Sequence, residues 1–216
     1  MHAVRTAGSI KKDGLPALVK TCGILMSLPV DFLVKSAVGS EISSTFIDQM
    51  PVDSEIFLDK AIQLRVLQLT TLTEAYAPLW EALQDSPWNR DSAVRTAAGR
   101  RQLMVEIDAI SALLLGLTSD DLCTIYRTQF PVLRGYEQND LYDNNGRKLP
   151  GEINKLYRQR GEILSIEERS WTHPQSAVEY VFEFPFRGFD REEDMRAAYA
   201  HFEQLLAEKQ IEELAK

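Results

Sequence analysis

Between residues 92 and 115 apolar side chains recur in a helical pattern: Val94, Ala97, Ala98, Leu103, Val105, Ile107, Ile110, Leu113 and Leu114. That spacing matches the 3.6-residue turn of an α-helix and gives it one broad apolar face, with Gly116 placed to stop it. Such a face has to be covered by other elements, and three more stretches carry helical signals. Residues 15–38 put Leu18, Cys22, Leu25 and Met26 on one side, with Pro16 in the first turn, Pro29 as a kink and Gly39 as C-cap. Residues 55–84, capped by Asp53 or Ser54, repeat the period through Ile56, Phe57, Ala61, Leu64, Leu67, Leu69, Leu72 and Tyr76 until Pro78 bends or ends it. A last helix opens at Asp190, with Glu193 completing a capping signature, and runs from Arg191 to about Ala215.

Shorter signals fill the intervals. Thr118 and Asp121 form a capping box, with Leu117 and Leu122 placed as a hydrophobic staple for a short helix that ends at Phe130-Pro131. The sequence LYDNNGRKL (residues 141–149) has the form of a hairpin turning at Asn145-Gly146. Residues 40–52 read as a loop with a short extended piece, and EYVFEFPF (179–186) alternates like a strand. The expectation is a polar lead-in over residues 1–14 and one mainly α domain over 15–216. It should hold about four main helices with a small β hairpin or extended element.

The net charge is −8, but it is unevenly spread. Residues 1–40 hold five Lys/Arg against two Asp/Glu, and 127–160 hold seven against four; residues 41–126 and 162–216 each hold six against thirteen. Duplex binding rests on neutralising phosphates, so tight DNA binding by the chain alone is not expected, and any contact falls to the two basic segments. The longest apolar run, 22–34, is interrupted by Pro29 and Asp31 and is too short to span a bilayer. The first residues lack the apolar core of a signal peptide, which points to the cytoplasm. Cys22 and Cys123 both fall in apolar helical patterns and read as buried, reduced thiols.

Catalytic chemistry finds little to stand on. There is no Gly-rich phosphate or nucleoside loop and no Asn-Pro-Pro-aromatic motif. His2, His173 and His201 are isolated from one another. The acidic groups Asp120-Asp121, Glu167-Glu168 and Glu192-Glu193-Asp194 are the candidates for a metal-dependent nuclease, but two of the three sit where helix N-termini favour carboxylates. No catalytic, cofactor or metal residue is assigned.

Four segments, in order, carry a resemblance. LMSLPVDFLVKSAVGSEISSTFIDQMPV (25–52) is an apolar helix, a Gly-Ser step and a close on Gln-Met-Pro-Val. VEIDAISALLLGLTSDDLCTIYRTQFPVL (105–133), LYDNNGRKL (141–149) and FDREEDMRAAYAHFEQLL (189–206) follow. Together they resemble the end of the recognition region and the C-terminal helices of type IIG-like and phage-defence adenine-specific DNA methyltransferases. The resemblance implies a non-catalytic fragment or subunit that completes or braces the recognition module of a larger restriction or methyltransferase chain, or that self-associates. It also implies DNA-facing positions at Lys35, Ser40, Ser43, Ser44, Arg134, Arg147 and Lys148. The competing readings are a stand-alone helical adaptor and, third, the nuclease.

Overall fold

The computed structural model describes residues 14–37 and 55–214. Among them are nine α-helices, more than the four main ones expected, because the long stretches break at Ser27 and at Thr70-Thr71 and further short helices open at Ala77, Pro131 and Gly151. The first stretch breaks into α1 (Leu15–Leu25) and α2 (Leu28–Ala37), bent by 73°. The break falls at Met26 and Ser27 rather than at Pro29. Ser27 is buried and its hydroxyl donates to the Ile24 carbonyl at 2.7 Å, so the chain turns there. Pro29 then occupies the first turn of α2, where its missing N–H costs nothing. The inner face of α1 is Val19, Gly23 and Ile24; Cys22, expected to be buried, is exposed, while Cys123 is buried.

The second stretch also stops early. α3 (Ile56–Thr70) is capped by the Glu55 side chain, which accepts the Leu58 N–H at 2.7 Å. It ends because the hydroxyls of Thr70 and Thr71 turn back onto the Val66 and Leu67 carbonyls. The Trp88 indole N–H then closes over the Thr71 carbonyl at 2.9 Å. Leu72 and Tyr76 therefore lie outside the helix and are exposed, and Pro78 belongs to the first turn of a short α4 (Ala77–Glu81). The proposed caps Asp53 and Ser54, the Gly39 C-cap and the extended piece within 40–52 lie outside the described residues.

α5 (Ala97–Leu114) is the central helix; it starts at the Thr96 cap, later than the periodicity alone suggests. α9 (Arg191–Leu214), α3, α1, α2 and α6 (Ser119–Gln129) pack around it. One side of α5 supplies Ile107, Ile110 and Leu114 to a cluster with Ile62, Leu67 and Phe202. The other supplies Val105 and Ala109 to a cluster with Leu122, Tyr126 and Met195. The capping box of α6 is present, Thr118 Oγ1 accepting the Asp121 N–H at 3.1 Å. Pro131 does not simply end that helix; it begins α7 (Pro131–Asn139), which the sequence reading did not assign.

A small lobe completes the structure. The 141–149 turn is held by one antiparallel bridge, Tyr142 to Lys148, with Gly146 at φ +73° and its N–H on the Asp143 carbonyl at 2.9 Å. α8 (Gly151–Arg160) and two strands, β1 (Ser170–Thr172) and β2 (Glu179–Val181), pack around Leu149, Ile153, Phe182 and Phe186. The strands are antiparallel with Trp171 opposite Tyr180. Only the first three residues of the alternating EYVFEFPF run are strand. No single described helix is long and apolar enough to cross a membrane.

Candidate functional site

A charged network lies between the central helices. Asp108, on α5 between Ile107 and Ile110, is fully buried. Its Oδ1 accepts the backbone N–H of Leu28 at 2.8 Å, so it caps the start of α2 from a distant element. Its Oδ2 accepts from Arg191 Nη2 at 2.7 Å. Arg191, the first residue of α9, also donates through Nη1 to Glu137 of α7. Glu137 lies 3.5 Å from Arg101 Nη2, and the other Arg101 nitrogen donates to Asp194 at 2.6 Å. Arg191 stacks over Tyr126, 5.6 Å from its ring centre, and Arg101 over Phe189 at 5.0 Å.

Taking these charges out of water is costly and is tolerated because each carboxylate meets a guanidinium or a helix amide. Burial pushes the Asp108 carboxyl up, against the pull of Arg191 and the Leu28 N–H. Burial pulls Arg191 down, yet the Asp108 and Glu137 carboxylates outweigh it and hold it above the ordinary arginine value. Burial, assisted by Glu137, raises the Tyr126 hydroxyl to about 12. An open cavity of about 350 Å³ lies against this network, lined by Tyr126, Arg134, Glu137, Phe189, Arg191 and Glu192 among others.

Of the positions implied to face DNA, Lys35, Arg134, Arg147 and Lys148 lie among the described residues. Ser40, Ser43 and Ser44 lie outside the described residues. Lys35 donates to Asp31 at 2.6 Å and sits 4.7 Å above the Phe130 ring. The Phe130 carbonyl accepts the Arg134 N–H, so these two positions are anchored to one residue. Arg147 holds its own turn: its guanidinium donates twice to buried Asp143, at 2.9 and 2.6 Å, and to the Val181 carbonyl at 2.7 Å. Lys148 pairs with Asp140 at 2.6 Å. The charges of Arg147 and Lys148 are thus matched within the chain, whereas Arg134 forms no ion pair among the described residues.

The acidic groups have local partners too. Asp120 pairs with Arg196, Asp121 with Thr118, Glu167 with Ser165, Glu168 with Arg160, Glu192 with Arg127 and Asp194 with Arg101. Among the described residues no three His, Cys, Asp or Glu side chains converge as metal ligands. Sequence reasoning missed the network itself. The available signal was a charged residue, Asp108, in the middle of an otherwise apolar helix face; nothing local marks Glu137 or Arg191 as its partners. No family model, curated protein or solved structure matches this chain.

Proposed function

We propose that this chain is a non-catalytic brace for the DNA-recognition module of a larger adenine-specific methyltransferase of the type IIG-like or defence class. The observation that carries the reading is where the four resembling segments meet. Leu28 comes from the first, Asp108 and Tyr126 from the second, and Arg191 from the last, and they interlock around one buried carboxylate. The hairpin segment joins them through Tyr142, whose ring lies 5.0 Å from Phe189. Segments that resemble one family in order thus form a single mechanical unit here.

In this role the resemblance assigns to the DNA side Lys35 on α2, the Arg147–Lys148 turn, and Ser40, Ser43 and Ser44, which lie outside the described residues. The chain supplies shape and anchoring, while base chemistry and cofactor binding belong to the partner. The test uses a type IIG-like methyltransferase truncated before the corresponding region. Mixed with this chain, it should sediment as a one-to-one complex. If the two sediment separately, the brace reading fails and a stand-alone adaptor takes its place.

A further inference from the structure

The cavity beside the buried network holds two hydrogen-bond donors that have no acceptor within the chain. The first is Tyr126 of α6, a residue only 4% exposed, whose ring packs in the cluster with Leu122 and Met195 under the Arg191 guanidinium. Its hydroxyl forms no hydrogen bond among the described residues. The charges that act on that hydroxyl are Glu137, Arg191, Arg101 and Arg134. Glu137, Arg191 and Arg134 line the cavity together with Tyr126, so the hydroxyl is the end of the ring that reaches it. Raised to about 12, the group keeps its proton and stays a donor at neutral pH.

The second donor is Arg134 of α7. It is half-buried, and it precedes Glu137 and Gln138 by three and four residues, which puts all three on the helix face that lines the cavity. It forms no ion pair among the described residues and acts on Glu192 only through its field. The carboxylates of the wall are engaged elsewhere: Glu137 by Arg191 and Arg101, Glu192 by Arg127, and Asp190 by the amides of Glu192 and Glu193. A buried donor without an acceptor costs free energy, and an acceptor supplied by a ligand removes that cost. Phe189, 39% exposed, gives the same wall an apolar part.

We propose that this cavity binds a small carboxylic acid with a flat apolar body. The carboxylate accepts from the Tyr126 hydroxyl and the Arg134 guanidinium, and the body lies against Phe189. Such charge-assisted bonds are the strong ones, and a carboxylate offers lone pairs enough for both donors. A phosphate suits the wall less well, because its second charge would meet Glu137, Asp190 and Glu192. At about 350 Å³ the cavity lies at the small end of ligand sites, which fits a single-ring acid rather than a cofactor. The site is complete within this chain and stands apart from the brace role.

The experiment is an amide-resolved NMR titration of the full chain with sodium benzoate. Shifts should be confined to Tyr126 and residues 134–138 and 188–192, with a dissociation constant on the order of 1 mM for so small a ligand. Benzamide, which has the ring without the charge, and inorganic phosphate should each bind at least about tenfold more weakly. Tyr126→Phe should weaken benzoate about tenfold, the loss of one hydrogen bond to a charged group. It should leave the unfolding temperature of the free protein unchanged or raised, because the hydroxyl has no partner in the chain to lose. Arg134→Gln should weaken benzoate as much, and Arg134→Lys, which keeps the charge, should recover part of the affinity. Shifts that fail to occur or scatter over the surface, equal binding of benzamide or phosphate, or benzoate binding that survives Tyr126→Phe overturn the proposal. A lowered unfolding temperature in Tyr126→Phe also overturns it, since the hydroxyl would then be held by the chain itself.

Discussion

Asp108 and Arg191 depend on each other more than on anything else around them. With Asp108 fully buried and the Arg191 side chain 5% exposed, removing one strands the other without water. Arg191→Met should lower stability by about 3–5 kcal/mol, read by urea unfolding, since it leaves fully buried Asp108 without its guanidinium and Glu137 with Arg101 alone. A change below about 1 kcal/mol would mean that the network is hydrated and loosely held. The pH dependence follows from the raised Asp108 carboxyl. A carboxyl that holds its proton more tightly folded than unfolded adds stability below its unfolded pKa and loses that contribution as pH rises through the folded value. The stability of the wild type relative to Asp108→Asn should therefore decline from about pH 4 to about pH 7. Paired unfolding curves at the two pH values check this, and a rising difference contradicts it.

At the scale of elements, the sequence was most readable where a local hydrogen bond marks a boundary. The Thr118–Asp121 box and the Asp190 cap lie where their side chains place them. The hairpin instead turns on Asn144-Asn145, one residue before the expected Asn145-Gly146, because the Asp143 carboxylate accepts the Asn145 and Arg147 N–H groups and its carbonyl takes the Gly146 N–H. Periodicity was a poorer guide to ends and faces. It ran α3 on past Thr70, because the later leucines fit the period while two threonine hydroxyls had already closed the helix. It put Cys22 inside α1, one residue from Gly23, where the helices actually touch. That contact was not legible because a close approach is a property of two helices together. A Cβ at Gly23 would lie 2.8 Å from Ile62 Cγ1 and from Val66 Cγ2. Gly23→Ala should thus push α1 off α3 and lower stability by about 1–3 kcal/mol, although alanine is the better helix former. Calorimetric unfolding decides the sign; a stabilised variant would show that α1 can shift outward freely.

Across the whole molecule, the candidate site divides into a legible and an illegible part. The basic segments could be counted in the sequence, but their pairing could not: the Arg147 charge turns inward to Asp143, and Arg134 forms no ion pair among the described residues. With net charge −8, long-range attraction to duplex DNA is weak or repulsive for the chain alone. Its affinity should be no tighter than roughly 10⁻⁵ M at physiological salt, the non-specific range. In the proposed brace role the chain would act differently, by holding the partner's recognition surface in register. The most direct measurement is therefore the DNA affinity of the truncated methyltransferase, by fluorescence anisotropy, with and without saturating amounts of this chain. The account predicts at least about a tenfold gain on adding the chain, larger than the chain's own weak binding supplies. An unchanged affinity, or a gain equal to what the chain shows by itself, would contradict it.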